Sequence, residues 1–214
     1  MLKESGVMKT EVVFNESRTE RFLLRKVWDE SKAIVSLIML NPSSAEVVTI
    51  DMTVHYAICN LYKLGYGGVE ILNMTSTIAS KLDTNNLILS DENLDYILES
   101  VKHSDKTILA WGRCGEGNKK ISDLQMEVIR NLSPYKDNLF VIASESGEFG
   151  FHPLAPIIRY YWDLIPFVYP KHLKRNKEDL PNESEKEIEE VMPDEPLEDE
   201  VKKPVKGRKS KKNI

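Results

Sequence analysis

The chain has 214 residues, of which 41% are hydrophobic and 29% charged, and its formal net charge is -5. That length allows one domain with a real core plus an extension. The acidic balance excludes a general pull on phosphates, and no stretch is long and apolar enough to span a bilayer. Two cysteines, Cys59 and Cys114, stand in no metal-ligand spacing, so the expectation is a reduced intracellular protein with buried thiols. The first residues carry no apolar signal core, which points to a cytoplasmic location.

In chain order, "EVVF" (11–14) and "RFLLRKVW" (21–28) predict an antiparallel pair of strands. "AIVSLIML" (33–40) is a continuous apolar run, as in a strand covered on both faces. "TVHYAICNLYKLG" (53–65) spaces Val54, Ala57, Ile58, Leu61 and Leu64 along one helical face, and glycines end it. "VEILNM" (69–74) predicts the next strand. "SDENLDYILESVKHS" (90–104) predicts a helix with Ser90 as its N-cap. "KTILAWG" (106–112) reads as a strand, "KKISDLQMEVIRNL" (119–132) as a helix and "NLFVIAS" (138–144) as a last strand. Alternation of this kind implies an α/β domain over residues 1–170, three layers deep (α/β/α), with a mostly parallel central sheet.

The composition changes near residue 171. Residues 178–200 hold twelve acids and one lysine, and residues 201–214 hold seven Lys/Arg and no acid. Such blocks bury too little apolar surface to offset the entropy of ordering, so residues 171–214 are expected to form a disordered acidic-then-basic tail. Its basic arm would touch nucleic acid or protein; a purely solubilising tail is the plainer reading.

In parallel sheets, ligands sit outside the carboxyl ends of the strands. Four predicted strands end in polar or small residues: at Asn41-Pro42-Ser43, at Asn73, at Trp111-Gly112, and in "SESGEFGFHPLAP", which carries His152. Asn41-Pro42 alone also suits a plain turn, Asn73 a brace, and Trp111 a core position. His152, before Pro153 in a glycine-bearing loop, is the hardest to read as packing. Asp51 is expected to cap the helix after it, close to the Asn41 turn. No metal cluster, phosphate loop or dinucleotide fingerprint is present, so no cofactor or metal is expected.

"RFLLRKVW", "IMLNPSSAE…IDMT", "GYGGVEILNM", "ILAWG" and "HPL" occur in this order in DUF1643, a family of uncharacterised bacterial and phage proteins that the chain resembles over roughly residues 20 to 160. A more distant resemblance is to the uracil-DNA glycosylase superfamily. Its Gly-x-Asn-Pro-Gly motif is similar to "MLNPS", which puts Asn41 and Pro42 on the Asn-Pro. Its "LLLN" resembles "EILN", which puts Asn73 on the base-reading asparagine. "LAWG" resembles its "LLWG", with Trp111 and Gly112, and "HPLAP" resembles its His-Pro-Ser-Pro loop, with His152 and Pro153. Met39 and Ser43 replace both glycines of the first motif, and Leu154 and Ala155 replace Ser-Pro.

That resemblance implies a uracil-DNA glycosylase-like fold and cleavage of a base–sugar bond, with DNA or a nucleotide as ligand. Asn41 and His152 would be catalytic, with Asp51 a lesser candidate for a base, and Asn73, Pro42, Ser43 and Trp111 would hold the base. Residues 1–170 hold 17 Lys/Arg against 22 Asp/Glu, so a nucleic-acid backbone would need a local basic stripe. Arg113, Lys119 and Lys120 are the candidates. The alternative expectation is a binding module for nucleotide, nucleic acid or protein on the same scaffold, without catalysis. The oligomeric state is not legible.

Overall fold

A computed structural model describes residues 1–43, 47–79, 83–84 and 87–170. Residues 171–214 lie outside the described residues, as do Ser44 and its two successors. In order, the chain forms β1 (Lys9–Phe14), β2 (Arg21–Val27), β3 (Ile34–Met39), α1 (Met52–Lys63), β4 (Gly68–Asn73), α2 (Asp91–His103), β5 (Thr107–Leu109), α3 (Lys119–Asn131), β6 (Leu139–Ala143) and β7 (Asp163–Pro166).

Local signals account for most of these elements. Asp51 caps α1 by accepting the Val54 N–H at 2.8 Å, and Ser90 caps α2 through the Asn93 N–H at 3.3 Å. Gly65, at φ +90, takes the left-handed turn that stops α1. The apolar stripe of α1, Val54, Ala57 and Leu61, is buried against one face of the sheet with Val35, Leu37, Val69 and Ile71. Ile97 and Val101 of α2, with Leu124 and Val128 of α3, are buried against the other face with Ile38 and Leu72. The domain is therefore α/β with helices on both sides of the sheet, and β3 is covered on both faces.

The seven strands lie in the order β1-β2-β4-β3-β5-β6-β7. The expected mostly parallel sheet is instead mixed. The β3–β4, β3–β5 and β5–β6 pairs are parallel, while β1–β2, β2–β4 and β6–β7 are antiparallel. Parallel pairing occurs where a helix supplies the crossover. The short link from β2 to β3 has no helix, so those strands run in opposite directions. β5 is shorter than expected, and β7 was not anticipated.

Two polar networks tie the layers. Ser100 Oγ donates to Glu70 Oε2 at 2.6 Å and lies 2.6 Å from Ser36 Oγ, while Glu70 also meets Arg25 Nε at 3.1 Å. Asn93 Nδ2 donates to the carbonyl of Asn73 at 2.9 Å, anchoring the end of β4 to the first turn of α2. No helix among the described residues is long and apolar enough to cross a membrane.

Candidate functional site at the strand ends

From β3 the chain crosses by α1 to β4 on one side; from β5 it crosses by α3 to β6 on the other. The direction of winding thus reverses between β3 and β5, and the segments that leave those two strands diverge and open a crevice. A hollow of about 440 Å³ lies there, lined by Asn41 from the turn after β3, by Trp111, Gly112 and Arg113 after β5, and by Phe151 and His152 after β6.

The loop after β6 folds back on its own strand, with Ser144 N–H on the Glu148 carbonyl and Gly150 N–H on the Ile142 carbonyl. It returns to the rim at residue 151. There the Leu154 N–H donates to His152 Nδ1 at 3.2 Å, and the Ala155 N–H donates to the His152 carbonyl at 2.8 Å. An occupied Nδ1 acceptor leaves the proton of the neutral ring on Nε2, as a donor. Burial pushes the imidazole below its ordinary value of 6.5, and the nearby Asp51 carboxylate opposes that shift.

The sign of the resulting pH dependence follows from that depression. The folded state disfavours the charged ring, so His152's contribution to stability is complete above about pH 6.5 and is lost as pH falls through its folded value. Denaturant midpoints measured from about pH 8 down to about pH 5 should show a decline that is shallower in His152→Gln. Equal slopes in the two proteins would remove His152 as its source.

Gly112 is the hinge of the crevice. It sits at φ +68, and a Cβ on it would lie 2.9 Å from the Cβ of His152 and 3.1 Å from its backbone nitrogen. Both backbone strain and collision oppose any side chain there. Gly112→Ala should therefore cost about 2 kcal/mol, read as a lowered urea midpoint, and should displace the His152 loop. A neutral result would mean that the loop yields freely.

Asn41 and Asp51 are each half committed. Asn41 Nδ2 donates to the carbonyls of Pro42 (3.3 Å) and Ala79 (3.2 Å), so its Oδ1 is the end left for a ligand. Asp51 uses Oδ1 for the helix cap, while Oδ2 is buried with no partner among the described residues.

Asn73 does not line the hollow. It ends β4 opposite Met39, and strand alternation puts it on the α1 face with Val69 and Ile71. It is 1% exposed, and neither amide atom has a partner among the described residues. Thr75 Oγ1, just beyond, is in the same condition.

The other anticipated residues divide. Pro42 is buried in the turn, and the carbonyl of Ser43 accepts from Arg21 Nη1 at 3.4 Å. Trp111 packs partly on the α2–α3 core and partly walls the hollow. Arg113 reaches the rim, 3.7 Å from Glu116 and with its guanidinium 5.8 Å from the Phe151 ring centre. Lys119 and Lys120 sit exposed on the first turn of α3, and neither lines this hollow.

Arg21 was missed. The antiparallel run of β2 brings its first residue to the rim where β3 and β4 end. A register shift puts Phe14 opposite Arg21 after Val13 opposite Leu23, so Phe22 is the extra residue of a bulge. Arg21 and Phe22 are both buried as a result. Burial brings the guanidinium down to about 10, against the pull of Asp51, so it remains charged at neutral pH. An arginine before an apolar strand looks like an exposed flank, and nothing local marks it otherwise. Burial pushes the Cys114 thiol up, and Gln125 Nε2 contacts its sulfur at 3.5 Å. Among the described residues no three His, Cys, Asp or Glu side chains gather to hold a metal ion.

The model of one family, described as a protein of unknown function (DUF1643), matches residues 21–154. The chain belongs to the DUF1643 family. The matched span begins at Arg21 and runs through the strand-end turns to the His152 loop. No curated protein and no solved structure matches the chain.

Proposed function

We propose that this DUF1643 protein binds a nucleobase in the crevice between β3 and β5 and hydrolyses its bond to a sugar, on a scaffold of uracil-DNA glycosylase type. One observation carries the reading. Asn41 and His152 line the hollow, each held by the protein at one atom and with Oδ1 and Nε2–H left for a ligand, and the Asp51 carboxylate that acts on His152 has Oδ2 buried without a partner among the described residues.

These ends suit a hydrolysis. A water donates one hydrogen to Asn41 Oδ1 and faces the anomeric carbon. Its oxygen forms the new bond to that carbon as the carbon–nitrogen bond breaks, and its proton passes to Asp51. The base leaves with the bonding electrons, and the His152 Nε2–H stabilises the charge on its oxygen. Trp111 walls the base, while Asn73, which does not line the hollow, makes no direct contact with it. Arg113, Lys119 and Lys120 remain the cations available to a nucleic-acid backbone.

The test is release of free base from uracil, thymine and modified-base substrates, as single strands, duplexes and free nucleosides. The hydrolase reading fails if none yields product. Binding without turnover is favoured by Met39, which stands beside Asn73 in the neighbouring strand and is buried where the superfamily motif has glycine. A ligand that raises the melting temperature but is never cleaved would select that second reading.

A further inference from the structure

A second hollow, of about 530 Å³, adjoins the first and shares Trp111, Gly112, Arg113 and Gly150 with it. The crevice therefore has two compartments on either side of Trp111. The inner one is the proposed base site. The outer one is lined by residues that include Glu116, Glu148, Ser122 and Gln125, and the Glu148 carboxylate also accepts from Ser146 Oγ at 3.4 Å. Its one cation among the described residues, Arg113, has Glu116 3.7 Å from its guanidinium.

We infer that the ligand is a free nucleoside, whose uncharged sugar occupies the outer compartment, rather than a nucleotide or a nucleic-acid strand. This inference rests on the base-site reading above. Sugar hydroxyls have protons to give, and ionised carboxylates can only accept. A phosphate ester offers no such proton at neutral pH and adds negative charge beside Glu116 and Glu148, where it is repelled. Two carboxylates against one arginine leave this compartment with a net negative charge. Lys119 and Lys120 line neither compartment.

The experiment measures affinities of the full chain for the common nucleosides, their 5′-monophosphates and a single-stranded oligonucleotide, at low salt. The expected result is one nucleoside bound about tenfold more tightly than its own monophosphate. Glu116→Gln combined with Glu148→Gln, both at exposed positions, should narrow that gap to about threefold or less. A monophosphate or oligonucleotide bound as tightly as the nucleoside by the wild-type chain overturns the inference and leaves the base site standing. So does a gap unchanged in the double variant. No binding of any nucleoside, nucleotide or oligonucleotide overturns the base site and this inference together.

Discussion

Replacing His152 by alanine should cut base release by about a hundredfold while leaving the fold in place. One pre-positioned donor to a developing oxyanion is worth that much, because it lies in a partly dry site and needs no reorganisation as charge appears. The ring is held for that task from both sides. The Leu154 N–H occupies Nδ1, and Gly112 lets the loop approach the turn after β5. The loss should fall on the catalytic rate and leave the ligand-induced thermal shift largely intact, since the donor acts on charge that exists only in the transition state. His152→Gln, which keeps a hydrogen-bond donor, should recover part of the rate. If His152→Ala releases base as fast as the parent, the imidazole takes no part in the chemistry.

Asn73→Leu should raise stability and leave ligand binding unchanged. The amide is buried with neither atom partnered among the described residues, a condition that costs a folded protein about 1–3 kcal/mol. Leucine has nearly the same shape and nothing to satisfy. The variant is therefore expected to be more stable by about 1–2 kcal/mol, or roughly 3–6 °C in melting temperature, and to keep its response to the base ligand, since Asn73 does not line the hollow. A destabilised Asn73→Leu would mean that the amide has a structural task.

The helices and the central strand were legible because their signals are local. The α1 stripe, the caps at Asp51 and Ser90 and the unbroken apolar run of β3 are each written within a dozen residues. The turn after β3, the glycine after β5 and the histidine loop after β6 were readable as rim features for the same reason. β7 was not readable. It is four residues long, ends in proline and lies at the sheet edge beside β6, so it has neither length nor alternation to mark it.

The sequence by itself determined most of the helix and strand segments, all but β7, and which side chains stand at the strand ends. Only the tertiary structure decided which ends meet. It made the sheet mixed, brought Arg21 to the rim by reversing β2, joined Asn41 and His152 in one crevice, and left Asn73 buried a strand away. Periodicity and capping report the chain's own conformation over a few bonds. Strand order and direction depend on contacts between residues far apart in the chain, and no short stretch encodes those alone.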